Sequence, residues 1–527
     1  MNIPSLYLRA AVWLLLAAVL LVVVRNAWLS DDIYITFRTL DNFLHGEGLV
    51  WNTHERVQTF THPLWLFTLA PFFGLLDHAY QAAMVTSILF TALTLLALFR
   101  LFPKPQVVLS GLALLACSRA FIDFSTSGLE NPLSNLLLVL FAGTFWKRGE
   151  MKNGLLKLSL LAALLLLNRL DHLVLVAPPL AMALFEGKFR QNIRPFLLGF
   201  APLFLWEAFS IVYYGFPFPN TFYAKAMTGL PKSTLIGQGL LYLQDSLTSD
   251  FVSLPVILLA TVGVIWKGGR QEKVLLAGLW TYLAYVVWVG GDFMSGRFVS
   301  TPFLLAVLLL LRLEVADRWR MAATGMLLAV SLFHPYHPFY TGKSYYDDRR
   351  GNERALYPHG IVDEKGMAWQ RSSLLAMGED SPLLVVERER GKWTPEPKVE
   401  VQVAVGWYGY AMGPTAKIVD ELALTDPLLA RLPALEVPYW RIGHFFRRVP
   451  KGYVEGLESG SYLLYDKDLD LYHEHLCWVT QGPIFSSYRW KQIFNFNFGL
   501  HNHLIDHAAY RNPTEAEYMR FPDLVED

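Results

Sequence analysis

The feature that most limits what this chain can become is a succession of apolar runs that stops near residue 333. With generous boundaries the runs are 6–29, 80–102, 106–122, 131–146, 153–167, 173–187, 195–214, 253–266, 273–290, 298–312 and 319–333. Backbone N–H and C=O groups inside lipid must find partners within their own segment, so runs of this kind form helices. A full span needs ~20 residues. Several runs are shorter, and flanking aromatic and small residues must complete them. Another apolar stretch, 64–76, ends at Asp77-His78 and reads as an interfacial or re-entrant piece, not a crossing. Composition agrees with this picture. Of 527 residues, 53% are hydrophobic and only 17% charged. An ordinary soluble domain carries about a quarter. The expected fold class is a polytopic α-helical membrane protein with about eleven transmembrane helices.

Charge placement gives an orientation. Short basic loops hold Arg100/Lys104, Lys147/Arg148/Lys152, Lys188/Arg190/Arg194, Lys267/Arg270/Lys273 and Arg312/Arg318/Arg320. These are alternate loops, and basic loops stay in the cytoplasm. The N-terminus, with Arg9 before a run ending at Leu29, then reads as a retained signal anchor starting inside. The expected domains are residues 1–333, with 31–62 as the first extracytoplasmic loop, and a soluble extracytoplasmic domain over 334–527. Turn residues punctuate that tail, and short strand-like pieces occur at Leu383–Val386, Val399–Val405 and Tyr462–Tyr465. They predict a small mixed α/β domain.

The loops opposite the basic ones collect a different set. They hold Asp31-Asp32, the stretch Asp123 to Glu130, Asn168-Arg169-Leu170-Asp171-His172, Pro217 to Lys225, and Gly290-Gly291-Asp292-Phe293-Met294-Ser295-Gly296-Arg297. Polar residues gathered on one face favour a single site there. Formal net charge is 0, which gives no argument for nucleic acid, and two cysteines are too few for a disulfide framework or a Cys-based zinc site. No Walker loop, strand-borne GxGxxG, HExxH or GxSxG is present.

Each polar set has a chemical and a plain reading. Asp31 and Asp32 follow the first span. Paired carboxylates raise one of their two pKa values, which suits acceptance of a proton from a sugar hydroxyl. The plain reading is two acids favoured by the dipole of the next helix. Arg38 follows on the same stretch. Arg169 and Asp171 are either a helix-capping ion pair or a phosphate and sugar contact, since guanidinium binds phosphate bidentately. Asn220 and Lys225 are either parts of a capped juxtamembrane helix or a phosphate holder. Asp292 and Arg297 lie among glycines that let backbone approach a ligand; otherwise they are an ion pair in a tight turn. Glu130 either contacts sugar, orients Arg38 or Arg169, or simply opens a helix. In the tail, Asp420, Thr425, Asp426 and His444 suit carbohydrate or acceptor binding, or caps and turns. His473 and His475 read as surface residues. A metal ligand set is not evident, although a divalent cation near the Asp pair is compatible.

These segments, in this order, resemble a known family. Asp31-Asp32-x-Tyr34-Ile35-Thr36-Phe37-Arg38, Gly46-x-Gly48-Leu49-Val50-x-Asn52 and Glu55-Arg56-Val57 look like the opening of GT-C fold membrane arabinofuranosyltransferases. Ser127-Gly128-Leu129-Glu130, Pro219 to Lys225, Gly291-Asp292 with Gly296-Arg297-Phe298, and Asp420-x-x-x-Leu424-Thr425-Asp426-Pro427 agree in turn. Two departures stand in the tail: Ala423 where the resemblance expects Gly, and Arg441-Ile442-Gly443-His444 where it expects Pro-Gly-His. The resemblance implies transfer of arabinofuranose from a polyprenyl-phosphate-linked donor to a glycan, lipid or pilin-like acceptor. It implies a site on the outer side of a bacterial inner membrane, with membrane lipids as the medium and Asp31 and Asp32 at its centre. Another lipid-linked sugar (mannose, glucose, aminoarabinose) or a non-enzymatic polysaccharide or lipid transporter remains an alternative reading.

Overall fold

The computed structural model describes residues 3–343, 358–388, 390, 398–437 and 440–520. Every apolar run named above falls on helix. Among the described residues, 3 helices are long and apolar enough to cross a membrane: Tyr7–Arg25, Ala79–Leu101 and Arg270–Val289. The number reaches 5 if two bent pairs, Phe189–Gly199 with Ala201–Tyr213 and Lys232–Ser249 with Ser253–Lys267, each make one span. Pro63–Leu76, Pro105–Cys117, Gly154–Asn168 and Leu170–Phe185 are shorter apolar helices. The chain is thus a mostly helical membrane protein.

Three expectations change. The stretch after Asp31 is not all loop, because Asp32–Leu44 is a helix. Ile33, Phe37 and Leu40 recur at helical spacing and are fully buried, which is why the segment winds up despite its polar flanks. Gly46, with φ 88°, follows its end. In the tail, Leu383–Val386 lies within the helix Pro382–Arg388, and no strand forms over 462–465. A short apolar run cannot by itself distinguish helix from strand. Only the start of Val399–Val405 is extended: Val399–Gln402 pairs in parallel with Lys417–Asp420, Val399 opposite Lys417. The described tail is therefore mainly helical around one two-stranded ribbon.

The described chain falls into two compact units. The first comprises residues 1–30, 62–203 and 232–381, and the second 31–61, 204–231 and 382–527. The described residues 334–343 and 358–381 thus go with the apolar helices, and the Asp31-Asp32 stretch goes with the rest of the described tail.

In the first unit, Arg270–Val289 packs along Leu173–Phe185 and Ser253–Lys267 along Arg297–Arg312. The turn Gly290 to Gly296 is fixed from two sides. Tyr242 donates its hydroxyl to the Met294 carbonyl at 3.1 Å, and the Phe298 N–H donates back to it at 3.0 Å. Gly291 has φ 76°, and a Cβ there would meet the Tyr242 Cβ at 2.5 Å and its ring at 2.6 Å, so only glycine fits. From the other side, Val362 exchanges backbone bonds with this turn, from its N–H to Phe293 O (2.6 Å) and to its carbonyl from Ser295 N–H (2.9 Å). Lys365, 3% exposed, then reaches Asp123 at 2.7 Å, while Arg119 bridges Asp123 (3.3 Å) and Asp363 (2.9 Å). The 359–372 segment is strapped to the helix ends by paired charges, as burial of a lysine requires.

The second unit has its own core, with Val419, Leu428, Leu429, Leu432, Leu469, Leu476 and Val479 buried around Tyr453 and Tyr472. Lys467–Gln481 packs against Ser487–Asn497. Asp466 caps the former by accepting from the N–H groups of Asp468 and Leu469.

Candidate functional site

In the first unit, three helix starts and one break between helices deliver charged side chains to one place. Glu130 stands just before Asn131–Lys147, whose first turn carries Pro132, a residue suited to that position. Arg169 sits at the extended break after Gly154–Asn168. Arg297 opens Arg297–Arg312, after Gly296 at φ 79°. His62 precedes Pro63, the first residue of Pro63–Leu76.

Glu130 is the hub. Its carboxylate lies 3.1 Å from Arg297 Nη2, 3.2 Å from Arg169 Nη1 and 3.4 Å from His62 Nδ1. Arg169 also grips Asp171 with two bonds, at 3.0 and 2.5 Å, and its guanidinium lies 4.5 Å from the Phe298 ring centre. Arg297 reaches Asp292 at 3.6 Å, the longest pair in the ring. Burial would raise the Glu130 carboxyl, but the guanidiniums of Arg297 and Arg169 outweigh it and hold the group well below the usual carboxylate range. Burial lowers His62 to about 4, so near neutral pH it faces Glu130 as an uncharged ring. Asn168 fastens the hub by donating to the Glu130 carbonyl at 2.9 Å and to Ser134 Oγ at 2.8 Å. The ring thus unites five predicted residues: Glu130, Arg169, Asp171, Asp292 and Arg297. His62 was missed by sequence reasoning; its one signal was a polar residue immediately before a helix-opening proline.

The second unit holds the other predicted residues. Asp31 and Asp32 are half-buried. The Asp31 carboxylate accepts the N–H groups of Gly406 (3.1 Å) and Trp407 (2.8 Å), at the start of the helix Gly406–Met412. A Cβ at Gly406 would lie 2.1 Å from the Asp31 carbonyl, so this position too demands glycine. Burial, helped by neighbouring Asp32, raises Asp31 to about 7 against the pull of those two N–H donors. Asp31 is thus tied to two backbone N–H groups, while Asp32 is the first residue of the Asp32–Leu44 helix.

Arg38 is buried among main-chain carbonyls. It donates to the carbonyls of Trp51 (2.9 Å), Gly409 (2.6 Å) and Ala416 (2.7 Å), and its guanidinium carbon lies 4.6 Å from the Trp51 ring centre. Asn220 likewise donates to the carbonyls of Ala423, Leu424 and Asp426 and accepts from Arg431 at 3.3 Å. Asp420 accepts from the N–H groups of Leu422 and Thr425, and Asp426 from Leu428, Leu429 and the Tyr453 hydroxyl. The observed bonds of Asn220, Asp420, Thr425 and Asp426 are of the cap-and-turn kind. Burial raises Asp420, Asp426 and Glu55 to about 7 each, with Glu55 adding to the effect on Asp426 and Asp426 adding to that on Asp420. Lys225 is exposed; His444 is half-buried, its Nδ1 3.4 Å from the Ile442 carbonyl. Among the described residues, no three His, Cys, Asp or Glu side chains gather as a metal site would need.

The chain is similar to two curated proteins with the same description. It is 25% identical over 537 aligned residues to the terminal beta-(1->2)-arabinofuranosyltransferase of Mycobacterium tuberculosis, covering 83% of this chain and 84% of that one. It is 29% identical over 359 residues to the protein so described in Corynebacterium glutamicum, covering 58% of this chain and 51% of that one. No family model matches the chain, and no solved structure matches it. The resemblance read from the motifs is thus met by an independent similarity over most of the sequence.

Proposed function

We propose that this glycosyltransferase, a relative of the terminal β-(1→2)-arabinofuranosyltransferases, moves arabinofuranose from a polyprenyl-phosphate donor to an envelope glycan, lipid or protein acceptor. The similarity over 83% of the chain carries the reading. The scaffold is of the GT-C type, set in a bacterial inner membrane with about eleven crossings. Its N-terminus lies in the cytoplasm and its tail outside, as the alternation of basic loops supports.

Roles follow from chemistry at each constellation. The Asp32 carboxylate accepts the proton of the attacking acceptor hydroxyl, and Asp31, clamped by Gly406 and Trp407, fixes where Asp32 points. In the first unit, Arg297 and Arg169 hold the donor phosphate, which guanidinium forks bind well. A phosphate oxygen would replace the Arg297–Asp292 contact most cheaply, because at 3.6 Å it is the longest in the ring. Glu130 and Asp171 orient the two cations. Lys225 is a further cation for phosphate. A divalent cation is compatible with this scheme and is tested by assaying with and without chelator.

The experiment is donor consumption by full-length protein in nanodiscs. Labelled polyprenyl-phosphate arabinofuranose, mannose, glucose and aminoarabinose are offered in turn with candidate acceptors. Selective use of the arabinofuranosyl donor is the expected result. Use of another sugar instead would reassign the donor, and no consumption of any verified donor would overturn the reading.

A further inference from the structure

The second unit contains the end of an apolar helix. Ala201–Tyr213 is one half of a bent pair apolar enough to cross a membrane, and its residues 204–213 belong to this unit. The last carbonyls of a helix have no partner within it. Here a buried arginine supplies one. Arg489 donates to the carbonyls of Val212 at 2.8 Å and Tyr213 at 3.0 Å, and also to those of Val479 and Ile484. Arg56 adds a bond to the Tyr213 carbonyl at 3.2 Å. The turn that follows is held as closely. Asn497 donates to the Gly215 carbonyl at 2.8 Å. Gly215, at φ 87°, lets the chain pass where a Cβ would collide with Val479. Arg489 and Asn497 stand near opposite ends of the helix Ser487–Asn497, so this helix is fixed at the depth where the apolar one ends.

Its faces are the reverse of those of a soluble helix. The buried residues are Arg489, Gln492 and Ile493. Phe494 and Phe498 stand exposed one turn apart, with ring centres at 4.5 Å. Phe485, just before the helix, is 85% exposed, and Leu500, just after it, is exposed as well. In water a helix turns its apolar stripe to the core, and an exposed apolar patch marks a contact. Charge says of what kind. Residues 482–505 include no Asp or Glu, and Lys491 is exposed at helical spacing from Phe494 and Phe498. Aromatic rings favour the interface between water and lipid, and a lysine stem reaches from there to headgroup phosphates. Position argues the same way: at the depth of an apolar helix's end, lipid is the neighbour at hand.

We infer that Phe485, Phe494, Phe498 and Leu500 seat this face of the second unit in the boundary between lipid headgroups and acyl chains, with Lys491 on lipid phosphate. The tail is then not a purely aqueous domain, because one of its helices lies in the membrane surface as an interfacial helix does. The inference needs only a membrane-borne chain and stands apart from the proposed transfer reaction.

Full-length protein in nanodiscs of phosphatidylcholine and phosphatidylglycerol tests it. A thiol-reactive bimane is placed at Phe498→Cys, or at Phe494→Cys should the first variant lose its fold. A reference label is placed at Ser459→Cys, an exposed position on Tyr453–Ser459 in the same unit. Both native cysteines are buried, and wild type treated with the same reagent gives the background. Lipid carrying a nitroxide high on its acyl chain is expected to quench the label at Phe498→Cys about fivefold more strongly than that at Ser459→Cys, and aqueous iodide to do the reverse. Equal quenching of the two labels by the lipid nitroxide, with iodide reaching both, overturns the inference. A label at Phe498→Cys shielded from both quenchers means that a protein covers the face, and overturns it too.

Discussion

Glu130 and Asp426 are both carboxyl groups with almost no exposure, 1% and 3%, yet their surroundings act on them in opposite senses. Glu130 faces two guanidiniums and is locked as an anion. Asp426 faces backbone N–H groups, a tyrosine hydroxyl and another acid, Glu55, and burial lifts it towards neutrality. The same side-chain chemistry thus yields a permanent charge in the first unit and a proton-binding group in the second. Burial sets the cost of charge, and the neighbours decide whether it is met. The first unit can hold a fixed electrostatic frame for an anionic donor. The second stores Asp420 and Asp426 among backbone N–H donors rather than against a paired guanidinium.

Removing the hub charge should have the largest effect. Glu130→Gln leaves Arg169 and Arg297 buried without their shared anion, a loss of about 3–5 kcal/mol. Thermal unfolding in detergent would show it as a large drop in Tm, and a drop of only a degree or two would break the contrast with Asp426.

pH sharpens the comparison next. Asp420, Asp426 and Glu55 have folded pKa values near 7, above their unfolded values. Folded protein then binds more protons than unfolded protein between about 4 and 7, so their contribution is full below that window and is lost as pH rises through 7. Glu130 runs the other way and loses its contribution only in strong acid. Moving from pH 8 to 5.5 should stabilise the second unit by roughly 2–4 kcal/mol and weaken the first unit slightly, because the buried His62 ring stays uncharged down to about pH 4 while the unfolded chain takes up its proton. Hydrogen exchange resolved by peptide reads the two separately, and slower exchange of both units to the same degree would count against it.

Asp426→Asn should cost only about 1 kcal/mol, because a group already near neutrality loses little on becoming an amide. Chemical denaturation at pH 6 and pH 8 checks this, with the smaller loss expected at pH 8.

The smallest effect belongs to Ala423. The sequence departs there from the glycine that the resemblance expects, and the residue has φ 63°, a left-handed conformation. Glycine would relieve about 1–2 kcal/mol of strain and forfeit about 0.8 kcal/mol for a buried methyl. Ala423→Gly should therefore raise Tm by a degree or so.

These contrasts mark what could be read from residues alone. Helices over the apolar runs were legible, because periodicity and length are local. The break at Arg169 and the glycine turn before Arg297 were legible as polar interruptions. The meeting of Glu130, Arg169 and Arg297 was only half legible. The sequence offers Glu130 either Arg38 or Arg169, and nothing in the spacing tells which partner arrives, since each comes from a different element. Arg38 could not be recognised as a structural tie, because its acceptors are main-chain carbonyls and these leave no sequence signature. The same is true of Asn220, whose side-chain amide donates to carbonyls within residues 423–426. Leu383–Val386 was misread for a simpler reason: four apolar residues fit either element.

The most direct test of the account is sugar transfer by wild type and Asp32→Asn, side by side in nanodiscs, with polyprenyl-phosphate arabinofuranose and an arabinan acceptor. The account predicts product with wild type and at least a hundredfold loss in the variant at unchanged Tm. Near-normal transfer by the variant would contradict it.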